Sequence, residues 1–389
     1  MSKIKIIRAT TVPGSLDTFC KGILRELSEK YEVIGLSSPG EALDEVAKRE
    51  GVKTIAVPMQ RHISLAKDLM ALVRLISVFR KEKPTMVHSM TPKAGLLCMV
   101  AGWMTRVPVR VHTFTGLVWP TSTGLKREIL KMTDRITCAC ATHIIPEGEG
   151  VKSDLQSGNI TKKPLNVLGV GNVMGVDMKR FSRRTEVMEI VTRKSLKLPD
   201  CFTFLTIGRI VRTKGINEMI TAFQKLQEID KNVRLILVGD YEDDLDPISD
   251  ESRIAIRDNA GIEAVGRKTG DELLAYYAVA DCYVSASYRE GFPNTVLEAG
   301  AMGLPSIVTD INGSREIIKQ GENGDIVPPR NVDALYNAMK VIITDHAARK
   351  YMASNARKMI EDRFEQSFVR KCLYDFYDEI LAPYKNDGF

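Results

Sequence analysis

The chain has 389 residues, of which 44% are hydrophobic and 27% are charged, and this length predicts two domains of about 190 residues each. Seven cysteines without a C-x-x-C pair predict free thiols in a reducing compartment, and the first residues lack the apolar region of a signal peptide. The longest apolar run, 94–104, is too short to cross a bilayer. We therefore expect a cytoplasmic protein.

The net charge of +6 is unevenly distributed along the chain. Residues 1–195 carry 31 Lys and Arg against 18 Asp and Glu, whereas the remaining residues carry 24 against 31. A basic first half is typical of proteins that contact nucleic acid, an anionic lipid surface or a phosphorylated substrate. No helix-turn-helix, zinc or RNA-binding signature accompanies the charge, so we expect no nucleic-acid partner.

Short runs rich in Ile and Val alternate with segments of helical period, which predicts an α/β fold of doubly wound parallel sheets covered by helices. The predicted strands of the first half are 4–9, 31–37, 53–58, 85–90, 109–114, 142–146 and 165–169. Those of the second half are 202–210, 234–240, 262–266, 282–287, 305–310 and 324–328. Two such halves that face one another would place the carboxyl ends of their strands around one crevice.

The two series of strands are separated by a charged segment without strand pattern, at about 176–200. We therefore place an N-terminal domain at 1–178 and a C-terminal domain at 179–364. The last segment, about 365–389, is predicted to form a long aromatic-rich helix that crosses back to the first domain.

Two candidate groups follow strands of the first domain. The turn Pro13-Gly14-Ser15 would let the backbone approach a ligand closely, although it lacks the G-x-G-x-x-G dinucleotide fingerprint. His112 lies near the carboxyl end of the strand 109–114. It is either a hydrogen-bonded histidine at a sheet edge or a polar group of the crevice.

The segment 123–141 has the pattern of a basic amphipathic helix, in which four Lys and Arg side chains are interspersed with Leu, Ile and Met. Such a helix either lies on an anionic membrane surface or is a domain helix with one solvated charged face. The first alternative predicts peripheral contact with a membrane.

In the second domain, the first strand ends in TIGRIVRTKGI, where Gly208 precedes the basic residues Arg209, Arg212 and Lys214. The order differs from a Walker loop, so a phosphate would be held by side chains more than by backbone N–H groups. Arg supplies forked donors and Lys a movable charge, which together suit a diphosphate. A solvated loop with ordinary surface cations is the alternative.

The acidic segment DYEDDLDP, 240–247, has no Gly at the calcium-loop position and no neighbouring His or Cys. We interpret it as a solvated loop and predict no metal site.

The stretch SYREGFPNTVLEAG places Glu290 and Glu298 around a Gly-Phe-Pro-Asn turn, with Asn294 as a predicted helix cap. A helix amino terminus and a glycine suit a bound anion, whereas carboxylates suit hydroxyl groups, and a nucleotide-sugar has both. For Glu298 the alternative is a charge in the first turn that interacts favourably with the helix dipole.

Taken in order, the motifs PGS, HTFTG, GR followed by KG, and EGFPNTVLEAGAMGLPSIVTD resemble the retaining glycosyltransferases of family 4, which have the GT-B fold of two facing Rossmann-like domains. The resemblance covers nearly the whole chain and is most specific from Phe202 to Pro329. GVDMKRF, 175–181, matches the usual entry to the second domain. The chain departs from the family at Asn312-Gly313, where paired glycines are common, and at Pro13-Gly14-Ser15, where two glycines are common.

The resemblance implies that the N-terminal domain, 1–178, binds the acceptor and the C-terminal domain, 179–364, binds the donor, and it implies a role for each matched residue. Arg209 and Lys214 would bind the donor diphosphate, Glu290 the donor sugar and Glu298 the ribose hydroxyls, while His112 would lie near the reacting sugar. Backbone around the donor would be shaped by Gly291, Phe292 and Pro293, and Gly14 would close over the diphosphate. The predicted donor-binding set is completed by Ser15, Gly208, Asn294 and Thr295.

The resemblance also implies an activity: retaining, metal-independent transfer of a sugar from a nucleotide-diphosphate donor, with UDP as the expected nucleotide, to a glycan hydroxyl. A polyprenyl-diphosphate-linked acceptor in bacterial capsule or other surface polysaccharide synthesis fits the basic first domain. No cofactor or metal is expected, and membrane contact would be peripheral, at the inner face. A nucleotide-sugar epimerase of the same architecture and a non-catalytic nucleotide-sugar-binding subunit are the alternatives.

Overall fold

The computed structural model of the protein describes residues 3–60, 64–182, 192–196, 199–244 and 246–385. The chain divides into two compact units, one formed by Met1–Met174 with Ser367–Phe389 and the other by Gly175–Gln366. Residues 183–191, which belong to the predicted boundary segment, lie outside the described residues.

The first unit is built on a six-stranded sheet in the order β3-β2-β1-β4-β5-β6, in which every pair is parallel. Its strands are β1 (Lys5–Ala9), β2 (Glu32–Ser37), β3 (Lys53–Ala56), β4 (Met86–Met90), β5 (Val109–Phe114) and β6 (His143–Pro146). In the register of the sheet, Ile7 lies between Ile34 and Val87. The strand order reverses direction between β1 and β4, and this reversal is the switch point at which doubly wound sheets bind ligands.

Helices cover both faces of this sheet. They are α1 (Pro13–Phe19), α2 (Ile23–Lys30), α3 (Glu41–Glu50), α4 (Leu65–Glu82), α5 (Pro92–Met104), α6 (Gly124–Cys140), α7 (Glu149–Ser157) and the C-terminal helix (Gln366–Leu381). Residues of α4 to α7 form the apolar core on one face, and residues of α1 to α3 form the core on the other, together with the C-terminal helix.

The C-terminal helix belongs to the first unit, as the sequence predicts. Its buried residues Leu373, Phe376, Tyr377 and Leu381 recur at helical spacing and join the core of this unit. Arg8 of β1, which is 1% exposed, donates to the Tyr377 hydroxyl over 2.6 Å. A buried guanidinium therefore bonds to the same helix that the apolar contacts hold.

The second unit repeats this architecture with the order β12-β11-β10-β7-β8-β9, again entirely parallel. Its strands are β7 (Phe202–Ile207), β8 (Val233–Val238), β9 (Ile262–Ala264), β10 (Cys282–Ser285), β11 (Ser306–Thr309) and β12 (Gly324–Val327). Its helices are α8 (Ile216–Ile229), α9 (Asp250–Asp258), α10 (Gly270–Val279), α11 (Asn294–Ala301), α12 (Ser314–Ile317), α13 (Val332–Thr344) and α14 (His346–Phe364). The switch point of this sheet lies between β7 and β10.

The prediction of two doubly wound α/β domains is confirmed, and twelve of the thirteen predicted strands form. The prediction of a strand at 165–169 is wrong, because this segment contributes only isolated bridges. Gly169, the last residue of this segment, has φ of 57°, a left-handed conformation that ends an extended backbone.

Candidate functional site

The cations predicted to bind a diphosphate follow β7, directly at the switch point of the second sheet. After Gly208 the chain makes a short 3₁₀ turn, Arg212–Lys214, and α8 begins at Ile216. Gly215 has φ of 70°, and a Cβ at this position would lie 1.9 Å from the Ala286 carbonyl oxygen. Only glycine therefore lets this turn approach the end of β10, which brings Lys214 beside the segment that contains Glu290.

Lys214 and Glu290 form an ion pair through Nζ and Oε1. The Ser287 hydroxyl donates to the same Glu290 oxygen over 2.8 Å, and Ser287 is 2% exposed. Both side chains of the ion pair are largely buried, so the carboxylate is held by one charged and one neutral donor. The two residues that the resemblance assigns to diphosphate and sugar are thus in direct contact.

Arg209 also has a carboxylate partner. Its Nη1 pairs with Glu242, and Arg212 pairs with Asp246 at 3.1 Å. The Thr213 amide donates to Asp246 over 2.7 Å, so the acidic loop after β8 holds the basic turn in place. The interpretation of this loop as solvated agrees with the exposure of Asp240, Asp243 and Asp244, and the loop also bonds to the cations after β7 through Glu242 and Asp246.

The segment 291–293 is fixed by buried contacts. Phe292 is 5% exposed, and its ring centroid lies 5.4 Å from that of Phe364. Gly313 has φ of 73°, and a Cβ there would lie 2.5 Å from the Gly291 carbonyl oxygen. Gly313 is thus the glycine that the close approach to Gly291 requires. Because the ring of Phe292 is buried, this residue contributes to the site through the position of its backbone.

Helix α11 begins one residue earlier than the sequence predicts. Pro293 is the residue before the helix, and Asn294 is its first residue instead of its cap. Thr295 follows, and its hydroxyl bonds to that of Tyr283 over 2.7 Å. The prediction of Asn294 as the cap is wrong because proline, with its fixed φ, occupies the capping position.

Glu298 is the fifth residue of α11, so the alternative of a first-turn charge at the helix dipole is wrong. Its Oε2 accepts a hydrogen bond of 2.7 Å from the Tyr277 hydroxyl. Burial raises the pKa of Glu298 to about 7, while the Tyr277 bond and the Arg180 charge act against this rise. A carboxyl group that ionises near neutral pH lies at this position.

Arg289 precedes Glu290 and is half-buried. Burial lowers the pKa of this guanidinium, the neighbouring Arg209 charge lowers it further, and Glu290 and Asp246 raise it. This fourth cation of the site, which follows β10, was not predicted from the sequence.

In the first unit, the predicted turn Pro13-Gly14-Ser15 is the first turn of α1, which corrects the interpretation of these residues as a loop. Gly14 is exposed, and a Cβ there would meet no atom within 4 Å. The switch point beside it is tied by Thr11, whose hydroxyl bonds to that of Thr91 over 2.8 Å. Thr91 has φ of 71°, a strained conformation for a β-branched residue and one that is frequent at functional sites.

His112 lies inside β5 and is 1% exposed. Its Nδ1 bonds to the Ser89 hydroxyl over 2.9 Å, and its ring packs edge-on against Phe114. Burial lowers the pKa of His112 to about 3, and the Ser89 bond offsets only part of this effect. The lowered pKa favours the neutral form of His112, which acts here as a hydrogen-bonding group.

Within the described ranges, no three or more His, Cys, Asp and Glu side chains are grouped so that they could hold a metal ion. Among the helices of the same ranges, none has both the length and the hydropathy that a bilayer crossing requires.

The site contains several polar residues that sequence motifs did not identify: Tyr277, Ser287, Arg289, Glu242 and Asp246. Ser287 and Arg289 lie inside the motif SYREGFPNTVLEAG. Their closeness to Glu290 in the sequence could therefore have identified them as candidate site residues. Tyr277 lies 21 positions before Glu298, and its role depends on the packing of α10 against β7.

Comparison with protein families gives two matches that together span most of the chain. Residues 188–359 match the glycosyl transferases group 1, and residues 18–171 match the glycosyl transferase 4-like domain. Each match lies within one of the two doubly wound sheets and their helices.

Similar proteins have comparable length. The capsular polysaccharide biosynthesis glycosyltransferase CapM of Staphylococcus aureus is 30% identical over 383 residues, which cover 98% of each chain. The UDP-Gal:alpha-D-GlcNAc-diphosphoundecaprenol alpha-1,3-galactosyltransferase of Escherichia coli is 25% identical over 93% of this chain and 94% of its own. The crystal structure of Anabaena Alr3699/HepE in complex with UDP has a TM-score of 0.80 at 17% identity, over 97% of this chain and 100% of that one.

Proposed function

The chain belongs to the glycosyltransferases of group 1, with a family 4-like N-terminal domain and the GT-B fold, and we propose that it transfers the sugar of a UDP-sugar donor to a lipid-linked glycan. The observation that carries this proposal is the contact of Lys214 with Glu290 at the switch point, beside Arg209. Cations and carboxylates within one small site suit a ligand with a diphosphate at one part and hydroxyls at another.

The second unit would bind the donor. Arg209 is about half exposed in its ion pair with Glu242, and such pairs contribute little to stability, so the guanidinium can turn to a phosphate at small cost. Lys214 would bind the diphosphate, and its departure from Glu290 would free that carboxylate for the hydroxyls of the sugar. Glu298 would accept hydrogen bonds from the ribose.

We propose retention of configuration by substitution on one face of the sugar. A bond forms between the acceptor oxygen and the anomeric carbon, while the bond from that carbon to the diphosphate oxygen breaks. The acceptor proton moves to the departing phosphate, which leaves as UDP. Lys214 and Arg209 stabilise the negative charge that develops on this phosphate, so the step needs no metal.

The first unit would bind the acceptor. The proposed acceptor is a polyprenyl-diphosphate-linked saccharide in bacterial capsule or related surface polysaccharide synthesis. The Escherichia coli relative is named for a diphosphoundecaprenol-linked acceptor, and CapM is named for capsular polysaccharide biosynthesis. Such an acceptor is embedded in a membrane, so the protein would work in the cytoplasm at the inner face of the membrane.

The test is transfer from a panel of UDP-sugars to a synthetic alkyl-diphosphate-linked saccharide, followed by mass spectrometry and by NMR of the new anomeric centre. We expect one UDP-sugar to give a product with the configuration of the donor, in the presence or absence of EDTA. Conversion of the donor without acceptor would favour an epimerase. Binding of UDP-sugar without any turnover would favour a non-catalytic subunit, and an inverted product would contradict the proposed mechanism.

A further inference from the structure

Two tyrosines of the second unit are buried beside helix α11. Tyr277, in the last turn of α10, is 0% exposed, and Tyr283, on β10, is 1% exposed. Their ring centroids lie 6.3 Å apart. A buried phenol loses its hydrogen bonds to water, so each hydroxyl needs a partner within the protein.

Both hydroxyls find partners on α11. Tyr277 donates to Glu298 Oε2 over 2.7 Å, and the carbonyl oxygen of Thr295 lies 3.3 Å from the same hydroxyl. The Tyr283 hydroxyl bonds to that of Thr295 over 2.7 Å and lies 3.3 Å from the carbonyl oxygen of Ile207, the last residue of β7. The two phenols therefore connect the first half of α11 with the strand that leads to the predicted diphosphate-binding cations.

The ring of Tyr277 is itself held by its surroundings. Phe181 packs edge-on against it, with the ring centroids 6.0 Å apart. The carbonyl oxygens of Phe181 and Met178 accept hydrogen bonds from Arg357 over 2.6 and 2.8 Å. The same guanidinium donates to the carbonyl oxygen of Ala301, the last residue of α11. Tyr277 thus has a fixed position relative to α11, which a residue that orients another side chain requires.

The hydrogen-bonding capacity of Glu298 is only half used in this arrangement. Its Oε2 accepts the bond from Tyr277, whereas its Oε1 accepts no hydrogen bond from any residue that the structure describes. Glu298 also keeps part of its surface accessible to solvent. Because both oxygens of an ionised carboxylate are acceptors, Oε1 is available to the hydroxyl groups of a ligand.

We propose that Tyr277 is a positioning residue for the donor: its hydroxyl fixes one oxygen of the Glu298 carboxylate, so that the other oxygen is presented to the ribose hydroxyls. The terminal torsion of a glutamate side chain has broad preferences, so a fixed carboxylate plane needs such a bond. A carboxylate that is oriented before the ligand arrives loses less freedom on binding. The inference deepens the proposed function and rests on it, because ribose binding by Glu298 is part of that proposal.

Tyr276, the neighbouring residue on α10, offers a matched control. It is 8% exposed and belongs to the same apolar cluster as Tyr277. Burial and the charges of Glu263 and Glu272 raise the pKa of Tyr276. Burial and the charge of Glu298 raise the pKa of Tyr277. Tyr276→Phe and Tyr277→Phe therefore each remove one hydroxyl and keep the ring, but only the second removes the bond to Glu298.

The first test compares the binding of UDP and of 2′,3′-dideoxyuridine diphosphate by isothermal titration. We expect the wild type to bind UDP more tightly, and Tyr277→Phe to lower the affinity for UDP about tenfold, because one hydrogen bond to a charged group is lost. The affinity for the dideoxy ligand, which lacks the ribose hydroxyls, should stay within about twofold in this variant, and Tyr276→Phe should leave both affinities within about twofold. Equal losses for the two ligands would give Tyr277 a purely structural role and overturn the positioning. So would an unchanged affinity of Tyr277→Phe for UDP.

The second test needs no ligand, which separates this inference from the proposed function. The Glu298 carboxyl is titrated by NMR in protein with carbon-13-labelled glutamate carboxyl groups, and Glu298→Gln identifies its signal. Burial raises the pKa of this carboxyl to about 7, while the Tyr277 bond and the Arg180 charge act against the rise. Tyr277→Phe should therefore raise the pKa of Glu298 further, and Tyr276→Phe should leave it unchanged.

The outcomes of the two tests are distinct. An unchanged Glu298 titration in Tyr277→Phe would overturn the positioning even if the protein binds UDP. A shifted titration together with no binding of UDP by the wild type would contradict the proposed function, while the orientation of Glu298 by Tyr277 would stand. Equal affinity of the wild type for UDP and the dideoxy ligand would overturn the presentation of Glu298 to the ribose and leave sugar transfer from a UDP-sugar intact.

Discussion

In the second unit, charged side chains meet at the ends of β7 and β10, where Lys214, Arg209 and Arg212 all have carboxylate partners. In the first unit the corresponding switch point is built from the hydroxyls of Thr11 and Thr91, and charge lies on the outer helices instead. Both sheets have the same strand order. The same topology therefore supports two different surfaces, because the strand-end segments and the outer helix faces vary independently of the core.

This difference predicts that the chemistry depends on the charged residues at the ends of β7 and β10. Substitutions there should lower transfer much more than substitutions of the same residue types elsewhere in the second unit. Each variant below is therefore compared with a control of the same residue type in the second unit.

The largest effect is expected for Lys214→Ala. Loss of the charge that stabilises the departing diphosphate should lower the rate of transfer by about 10² to 10³-fold. Lys225→Ala is the matched control, because it removes an exposed lysine that pairs with Asp333 at 2.7 Å on the same unit. Initial rates of UDP release measure both variants. Near-normal turnover of Lys214→Ala would show that Lys214 does not take part in the reaction, and the proposed contrast between the two units would be wrong.

Glu290→Gln should reduce transfer by about 10²-fold while UDP binding changes only a few-fold, because the carboxylate is proposed to contact the sugar and not the nucleotide. Isothermal titration with UDP and steady-state kinetics with the UDP-sugar separate these quantities. Glu322→Gln, at an exposed position of the same unit, is the control. If Glu290→Gln abolished UDP binding, the proposed division of donor contacts would be wrong.

The fold was predictable from sequence because both faces of each parallel sheet are buried, which leaves Ile- and Val-rich runs at nearly every strand. The predicted strand at 165–169 failed because an apolar run does not show whether a neighbouring strand pairs with it, and only Leu165 bridges Ile144 of β6. Likewise, the periodicity of α6 indicated two faces but not which one points outward. That choice is made by Trp119, whose buried ring attracts the cations of Arg127 and Lys131.

The candidate site was predictable only in part, since motifs name residues and not their partners. Glu290 and Lys214 could be named from two motifs, yet their contact depends on Gly215 and its approach to Ala286 across 71 positions of the chain. The position of Glu298 was misjudged because asparagine is a common N-cap residue. In the structure Pro293 is the N-cap of α11 and Asn294 is its first residue. Such contacts between distant segments are not encoded in local spacing.

A smaller effect is expected for Ser287→Ala. The hydroxyl of Ser287 orients Glu290, and loss of one hydrogen bond to a charged group, about 1.5 kcal/mol, should lower kcat by about tenfold without a change in KM for the donor. Ser306→Ala is the control, because Ser306 is buried on β11 and its hydroxyl has no hydrogen-bond partner among the described residues. A rise in KM with unchanged kcat would assign Ser287 to donor binding instead of positioning.

The smallest effect concerns Glu298 and appears as a pH dependence of stability in the second unit. The pKa of this carboxyl is raised from 4.5 to about 7 by burial, so the folded state holds its proton more tightly than the unfolded state. The resulting contribution is fully present below pH 4.5 and is lost as the pH rises through 7, with an amplitude of about 3 kcal/mol at most.

Glu298→Gln keeps an acceptor for the Tyr277 hydroxyl and removes this titration. We therefore expect the variant to melt several degrees above the wild type at pH 8 and close to it at pH 5, with weaker UDP binding at both values. Differential scanning calorimetry measures the effect, and Glu228→Gln on an exposed position of α8 controls for the loss of one negative charge. A difference in melting temperature between Glu298→Gln and the wild type that stays constant between pH 5 and pH 8 would contradict the raised pKa. It would mean that the Glu298 carboxyl ionises in the ordinary range despite its burial beside Tyr277, and that it is charged when it meets the ribose.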